Sequence, residues 1–231
     1  YGSTRFPGKS LAKIDGIPMI ARVVKQVKKT KEIDRVITAT DDMRIKEAVE
    51  AAGGEAVMTS SEHRSGTDRI AEAAENLTED LIVNVQGDEP LIKPEMIASA
   101  LAPFLKEEDL QMSTLKIKMN GDEAKNPDIV KVICDKNDNA LYFSRSPIPY
   151  PREGKVDYFQ HVGLYVYRRD FLLKYSQMKA TPLEKAESLE QLRALENGCR
   201  IKVIEIEGKL IGVDRKEDIK KVEAVLRDCT K

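Results

Sequence analysis

Residues Leu81 to Pro90 read L-I-V-N-V-Q-G-D-E-P, and this stretch does more than any other to limit what the chain can fold into. Its first half is apolar and β-branched, and it is bounded by charged and turn residues. That is the pattern of a buried strand in a parallel sheet. The second half turns polar at once and delivers Gln86, Gly87, Asp88 and Glu89 ahead of a proline. In open α/β sheets, ligands sit beyond the carboxyl ends of the strands, so Asp88 is presented where a metal or substrate would lie. An ordinary strand-to-helix turn, with an acidic residue near the next helix N-terminus, would look the same over ten residues. The remaining stretches decide between the two.

The first nine residues, Y-G-S-T-R-F-P-G-K, form a glycine-containing basic loop of the kind that cradles phosphates. Gly8-Lys9-Ser10 matches the end of a Walker A loop, but the glycine required five positions earlier is Ser3. Pro7 also removes a backbone donor. Arg5 and Lys9 are therefore read as side-chain charges for phosphate rather than as parts of an NTPase loop. Pro18 is placed at the start of a helix whose face carries Ile20, Val23, Val24 and Val27. Strand is expected over 35–40. Helix follows through Ile45, Ala48, Val49 and Ala52 and stops at Gly53-Gly54, with strand again over 55–58. A polar loop from Thr59 to Gly66 carries His63, for which nothing nearby in sequence suggests a partner. Helix is expected from Thr67 to Leu77. This alternation is that of a doubly wound parallel sheet.

Beyond it, Pro94 opens a helix running toward Glu107, with a kink at Pro103. Residues 111–119, 129–134 and 140–144 then read as strands joined by turns. A stiff S-P-I-P-Y-P-R segment and a further strand over 161–167 follow. The stretch 111–167 is thus a β-rich subdomain within a single domain spanning 1–231. Pro182 to Gly198 reads as one helix with Leu189, Leu192 and Leu195 as its buried stripe, and with Glu187, Glu190 and Gln191 around an acidic, solvated face. Strands are expected over 200–206 and 209–213. Asp214, with Glu217 three residues on, has the spacing of a capping box for the closing helix. As a second carboxylate at a strand end it could also meet Asp88, one oxygen serving the helix amides and the other a metal.

A formal net charge of −1 gives no long-range attraction to nucleic acid or acidic lipid. No apolar run reaches the roughly 18 residues that span a bilayer, and no signal-peptide pattern opens the chain. Cys134, Cys199 and Cys229 are odd in number and widely spaced, which suits free thiols in a reducing cytoplasm. With His63 and His161 as the only histidines, zinc is not expected.

Taken together, the blocks Tyr1–Lys9, S-G-T-D-R at 65–69, V-N-V-Q-G-D-E-P at 83–90, A-L-Y-F-S-R-S-P-I-P at 140–149, H-V-G-L-Y at 161–165, P-L-E at 182–184, L-E-Q-L-R at 189–193 and G-V-D at 212–214 resemble the 3-deoxy-manno-octulosonate (Kdo) cytidylyltransferases. They occur in that family's order over essentially the whole chain. Two departures stand out. The family opens with a strand ending in Pro-Ala-Arg just ahead of the position of Tyr1, and this sequence begins after it. Arg215 stands where threonine is common.

The resemblance implies transfer of CMP from CTP to the anomeric hydroxyl of Kdo, with release of pyrophosphate, for lipopolysaccharide biosynthesis. By resemblance Asp88 and Asp214 hold Mg²⁺, and Lys9 shares the catalytic work with them. Arg5, Lys9, Arg64, Ser65, Gly66, Thr67 and Asp88 meet the nucleotide. Arg69, Gln86, Arg145, His161, Tyr165, Glu190 and Gln191 meet the sugar. A cytoplasmic homodimer, joined through the β-rich subdomain and with neither nucleic acid nor membrane as partner, completes the expectation. The alternatives are a cytidylyltransferase for sialic acid or an amino-substituted Kdo, and a non-catalytic nucleotide-binding subunit.

Overall fold

The computed structural model describes residues 6–63, 65–208 and 210–228. They fall into two compact units, one of 6–77, 85–98 and 210–228, the other of Thr78–Asn84 and Ser99–Gly208.

In the first unit, β1 (Lys13–Ile14) and β2 (Ile17–Pro18) form a tight antiparallel hairpin. Its two turn residues, Asp15 and Gly16, both have positive φ, as a two-residue hairpin turn of this kind requires. Pro18 occupies the position before α1 (Met19–Val27), whose Ile20, Val23, Val24 and Val27 are buried as the spacing predicts. Strands β3 (Ile37–Thr40) and β4 (Glu55–Met58) pair in parallel and are connected through α2 (Met43–Ala51). Asp42 caps α2, its Oδ1 accepting from the Arg44 amide at 2.9 Å. The helix ends at a glycine pair: Gly53 has φ 74°, and a Cβ on Gly54 would lie 2.6 Å from Val49 Cγ1. Ile20, Val24, Ile45 and Val49 form one core; Ile14, Met19, Leu91, Val213 and Val222 form another. Helices α3 (Gly66–Ala74) and α8 (Asp218–Asp228) and the first residues of α4 (Pro94–Leu101) also belong to this unit.

The second unit is built on a mixed sheet in the order β10-β6-β9-β7-β8, with β5 also paired to β9. Its strands are β5 (Leu81–Asn84), β6 (Met112–Met119), β7 (Lys131–Cys134), β8 (Ala140–Ser144), β9 (Tyr158–Arg168) and β10 (Ile201–Glu205). Strand β10 runs parallel to β6, and the pairs of β9 with β5, β6 and β7 are antiparallel. The organising strand at Leu81 is therefore present, and its neighbour among the described residues is antiparallel. The β6–β9 register shifts between Thr114 and Leu115. The Thr114 hydroxyl lies 3.0 Å from the Val162 carbonyl and 2.8 Å from that of Leu164, serving backbone groups that the shift displaces from the ladder. An α-helix not anticipated from sequence, α5 (Arg169–Ser176), follows β9 directly and buries Leu172 and Tyr175.

Three expectations need correcting. The helix starting at Pro94 does not kink through Pro103; α4 ends at Leu101 and a 3-10 turn, Ala102–Leu105, takes over. Proline there has no N–H for the helical ladder. The stretch from Pro182 to Gly198 is two helices, α6 (Pro182–Glu187) and α7 (Gln191–Glu196), with Ser188 between them at φ 52°. Side chains from elsewhere claim the carbonyls at this elbow: Arg145 Nε donates to Glu187 O at 2.8 Å, and Tyr175 Oη to Glu190 O at 2.5 Å. Gln191, expected on the solvated face, is buried. Finally, Leu210–Val213 is not a strand; the Val213 amide instead donates to Asp88 O at 2.9 Å.

Candidate active site

In the first unit, the chain beyond β5 turns tightly, with the Glu89 amide donating to Gln86 O. The Val213–Asp88 backbone bond then draws the 210–214 segment alongside. Lys9 starts a 3-10 turn, Lys9–Leu11, after Gly8 in the left-handed region (φ 73°). These three local structures place Lys9 Nζ in a hydrogen bond to Asp88 Oδ2 and 3.5 Å from Asp214 Oδ1. The catalytic trio expected from sequence is thus gathered on one ammonium. The expected capping box at Asp214 is not what forms. Helix α8 begins at Asp218, whose Oδ2 accepts from the amides of Asp214 (3.2 Å) and Arg215 (2.9 Å). Asp218 thereby takes the part that the spacing assigned to Glu217, accepting from the Asp214 amide.

Glu89 belongs to the same group and sequence reasoning gave it no role. Its Oε2 is buried without a hydrogen-bond partner. A Cβ on Gly212 would stand 3.1 Å from Glu89 Oε1, so glycine at 212 permits the close approach. Burial, then the charges of Asp88 and Asp214, push the Glu89 carboxyl up to about 7, against the pull of Lys9. The one signal in the sequence was its place beside Asp88.

Asp88 and Asp214 offer hard oxygen donors around a single positive charge. Among the described residues no group of three or more His, Cys, Asp or Glu side chains could hold a metal ion. Two carboxylates with the remaining positions left for water and phosphate oxygens is the donor set that suits Mg²⁺.

Arg5 and Arg64 lie outside the described residues. Ser65 caps α3, its Oγ accepting from the Asp68 amide at 3.1 Å, and Thr67 is buried in the first turn. The Gln86 side chain lies against Gly66, where an added Cβ would come 3.5 Å from both Nε2 and Oε1. Arg69, on α3, is already engaged: it donates to Thr59 Oγ1 (2.6 Å), Ser60 O (3.2 Å) and Asp41 Oδ2 (3.0 Å). His63, for which sequence suggested no partner, is hydrogen-bonded through Nε2 to Glu72.

The second unit holds the other expected sugar residues. His161 and Tyr165 have ring centroids 5.4 Å apart, and the line of rings continues to Tyr167 and Tyr175. His161 Nε2 is 3.0 Å from Thr114 Oγ1. The Thr114 hydroxyl has one proton and two carbonyls to receive it, so it accepts from His161 Nε2–H and leaves Nδ1 as the acceptor nitrogen. Arg145 donates to three backbone carbonyls, those of Glu187 (2.8 Å), Pro127 (3.0 Å) and Ser188 (3.5 Å). Glu190 and Gln191 stand at the start of α7, the Glu190 Oε1 3.5 Å from Arg193 Nη2.

Burial lowers the His161 pKa from 6.5 to about 3. Unfolded chains therefore bind a proton between these values that the folded chain does not, and stability rises with pH across the window. The contribution is complete above pH 6.5 and is lost as pH falls toward 3, by about 5 kcal/mol in total. Urea unfolding across this range should show that slope, and His161→Gln should flatten it. Equal slopes in the two proteins would remove His161 as its source.

The family described as Cytidylyltransferase matches residues 1–206. A 3-deoxy-manno-octulosonate cytidylyltransferase of Fusobacterium nucleatum subsp. nucleatum is 56% identical over 225 residues, covering 96% of this chain and 91% of the relative. The chain belongs to the 3-deoxy-manno-octulosonate cytidylyltransferase family. Its relative from Trichlorobacter lovleyi is 51% identical over 236 residues, with 96% and 94% covered. A solved CMP:2-keto-3-deoxy-manno-octonic acid synthetase complexed with CTP superposes on this family member with a TM-score of 0.95 at 43% identity, covering 99% and 95% of the two chains. A 4-diphosphocytidyl-2C-methyl-D-erythritol synthase from Anaerococcus prevotii shares the fold, at TM-score 0.64 and 16% identity.

Proposed function

We propose that this nucleotidyltransferase moves CMP from CTP to the anomeric hydroxyl of Kdo, giving CMP-Kdo and pyrophosphate. The observation that carries the reading is the convergence of Asp88 and Asp214 on Lys9 in a chain of this family. The sugar oxygen attacks the α-phosphorus, the bond to the β-phosphate oxygen breaks, and the hydroxyl proton is released. Charge develops on phosphate oxygens, so the site needs fixed positive charge and not a covalent nucleophile. Lys9 supplies one such charge. Asp88 and Asp214 would hold Mg²⁺, which when bound neutralises phosphate oxygens as a Lewis acid. By the family resemblance Arg5 would add a second cation, and the stretch 64–67 would serve the base.

For the sugar, the acceptor Nδ1 of neutral His161 and the hydroxyl of Tyr165 suit sugar hydroxyls, as do Gln86, Glu190 and Gln191. Arg69 and Arg145 are the guanidinium candidates for its carboxylate, each in exchange for a contact it now makes. The proposed assembly is a homodimer. In its favour, Tyr150 and Leu141 are large apolar side chains left 84% and 58% exposed. No helix among the described residues is long and apolar enough to cross a membrane, and Cys134 and Cys199 are free. The proposed cytoplasmic setting and role in lipopolysaccharide biosynthesis rest on the family to which the chain belongs.

The test is pyrophosphate release by the full chain with CTP and Mg²⁺, with Kdo and sialic acid offered separately. Release with Kdo alone, abolished by chelation of the metal, is expected. Equal turnover of sialic acid would overturn the substrate, and undiminished turnover in chelator would overturn the metal.

A further inference from the structure

Two of the sequence blocks contain charged residues that the reading above leaves without a role: Glu184 in P-L-E and Arg193 in L-E-Q-L-R. The structure joins them. Arg193 is 8% exposed, and its Nε and Nη2 meet the two oxygens of Glu184 at 2.8 and 2.5 Å, a two-bond fork. Its Nη1 lies 3.5 Å from Tyr175 O and 3.3 Å from Met178 O, and the guanidinium covers the Tyr175 ring at 5.2 Å. Tyr175 in turn donates its hydroxyl to Glu190 O. A second clasp runs the same way, with Glu196 accepting from the Leu183 amide at 3.1 Å.

Helices α6 and α7 have six residues each, too few to hold their direction without help. The orientation of the first turn of α7, and with it the presentation of Glu190 and Gln191, is set by these tertiary contacts. We propose that Arg193 is a positioning residue for the sugar subsite, clamping the α6–α7 elbow through Glu184 and Tyr175 so that Glu190 and Gln191 are held in place for the acidic sugar. The proposal rests on the reading of Glu190 and Gln191 as sugar residues. A lysine cannot replace the fork, because an ammonium has neither the planar geometry nor the second parallel bond.

The experiment is steady-state pyrophosphate release by the full chain, with Kdo and CTP varied separately, for Arg193→Lys, Glu184→Gln and Glu190→Gln. Arg193→Lys and Glu184→Gln should raise the KM for Kdo roughly ten- to a hundredfold, as loss of a supporting partner does elsewhere. The KM for CTP should stay within about twofold, a split that general loosening would not produce. Parallel rises in both constants, or no rise in either, would overturn the proposal. A Kdo effect in Glu190→Gln without one in the clamp variants would overturn the clamp alone. No Kdo effect in Glu190→Gln would remove the sugar reading beneath it. Glu184→Gln, which preserves shape, decides the matter if Arg193→Lys is recovered unfolded.

Discussion

Replacing Asp88 by asparagine should lower the rate of pyrophosphate release about a hundredfold or more while leaving the fold intact, since both the proposed metal and Lys9 depend on this carboxylate. The side chain is 27% exposed and of nearly the same shape as asparagine, so no cavity or clash arises. What changes is charge: Lys9 keeps Asp214 at 3.5 Å and loses its nearer partner, and one hard anionic ligand is gone. The check is kcat at saturating CTP and Kdo beside a urea unfolding midpoint. Retained turnover in a folded variant would take Asp88 out of the proposed metal site. Asp214→Asn is a cleaner companion than the spacing suggested, because α8 begins at Asp218, beyond the position that Asp214 would cap.

The second large effect is expected on stability. Lys131 has no exposed surface, and its Nζ donates to the carbonyls of Asn126 (3.0 Å), Ile129 (2.6 Å) and Arg145. Burial lowers its pKa, opposed by the charge of Glu187 and helped by that of Arg145. Methionine would fill much of the volume but orphan three acceptors at a cost of about 1–3 kcal/mol each if none finds water. A net loss of about 3–5 kcal/mol is expected, read from urea midpoints at an unchanged m value. A loss below about 1 kcal/mol would mean that these carbonyls find other donors. The β-rich unit thus buries a cation, tied to three carbonyls, among its apolar side chains.

In sequence, Lys131 looks like the polar edge of K-V-I-C, and nothing local shows that its ammonium turns inward. The same limit explains most of what sequence missed. Elements governed by periodicity were legible: α1, α2, β4 and β8 lie within a residue or two of expectation because their apolar spacing and glycine stops are local signals. The break at Ser188 was not, since the carbonyls of Glu187 and Glu190 are claimed by Arg145 and Tyr175, more than ten residues away. Lys9, Asp88 and Asp214 were readable as candidates from motif chemistry, and the fold brings them together. Glu89 was not, because its raised pKa follows first from burial, which its place beside Asp88 does not reveal, and then from Asp214 far along the chain as well as from Asp88. Arg69 and Arg145 were assigned by residue type, which cannot reveal that their donors are already engaged with Asp41, Thr59 and the elbow carbonyls.

Strand β9 is where the second unit meets in sequence order as well as in space. Leu81 waits for Arg168, Met112 for Tyr167, and β10 joins β6 only after both. A chain emerging from the ribosome thus carries β5 and β6 with open edges until most of the protein has been made. The β3–α2–β4 part of the first unit, closed by neighbours in sequence, can form long before. Biosynthesis would then leave an interval in which apolar strand edges depend on chaperones or on speed, and its length is set by the distance along the chain to β9.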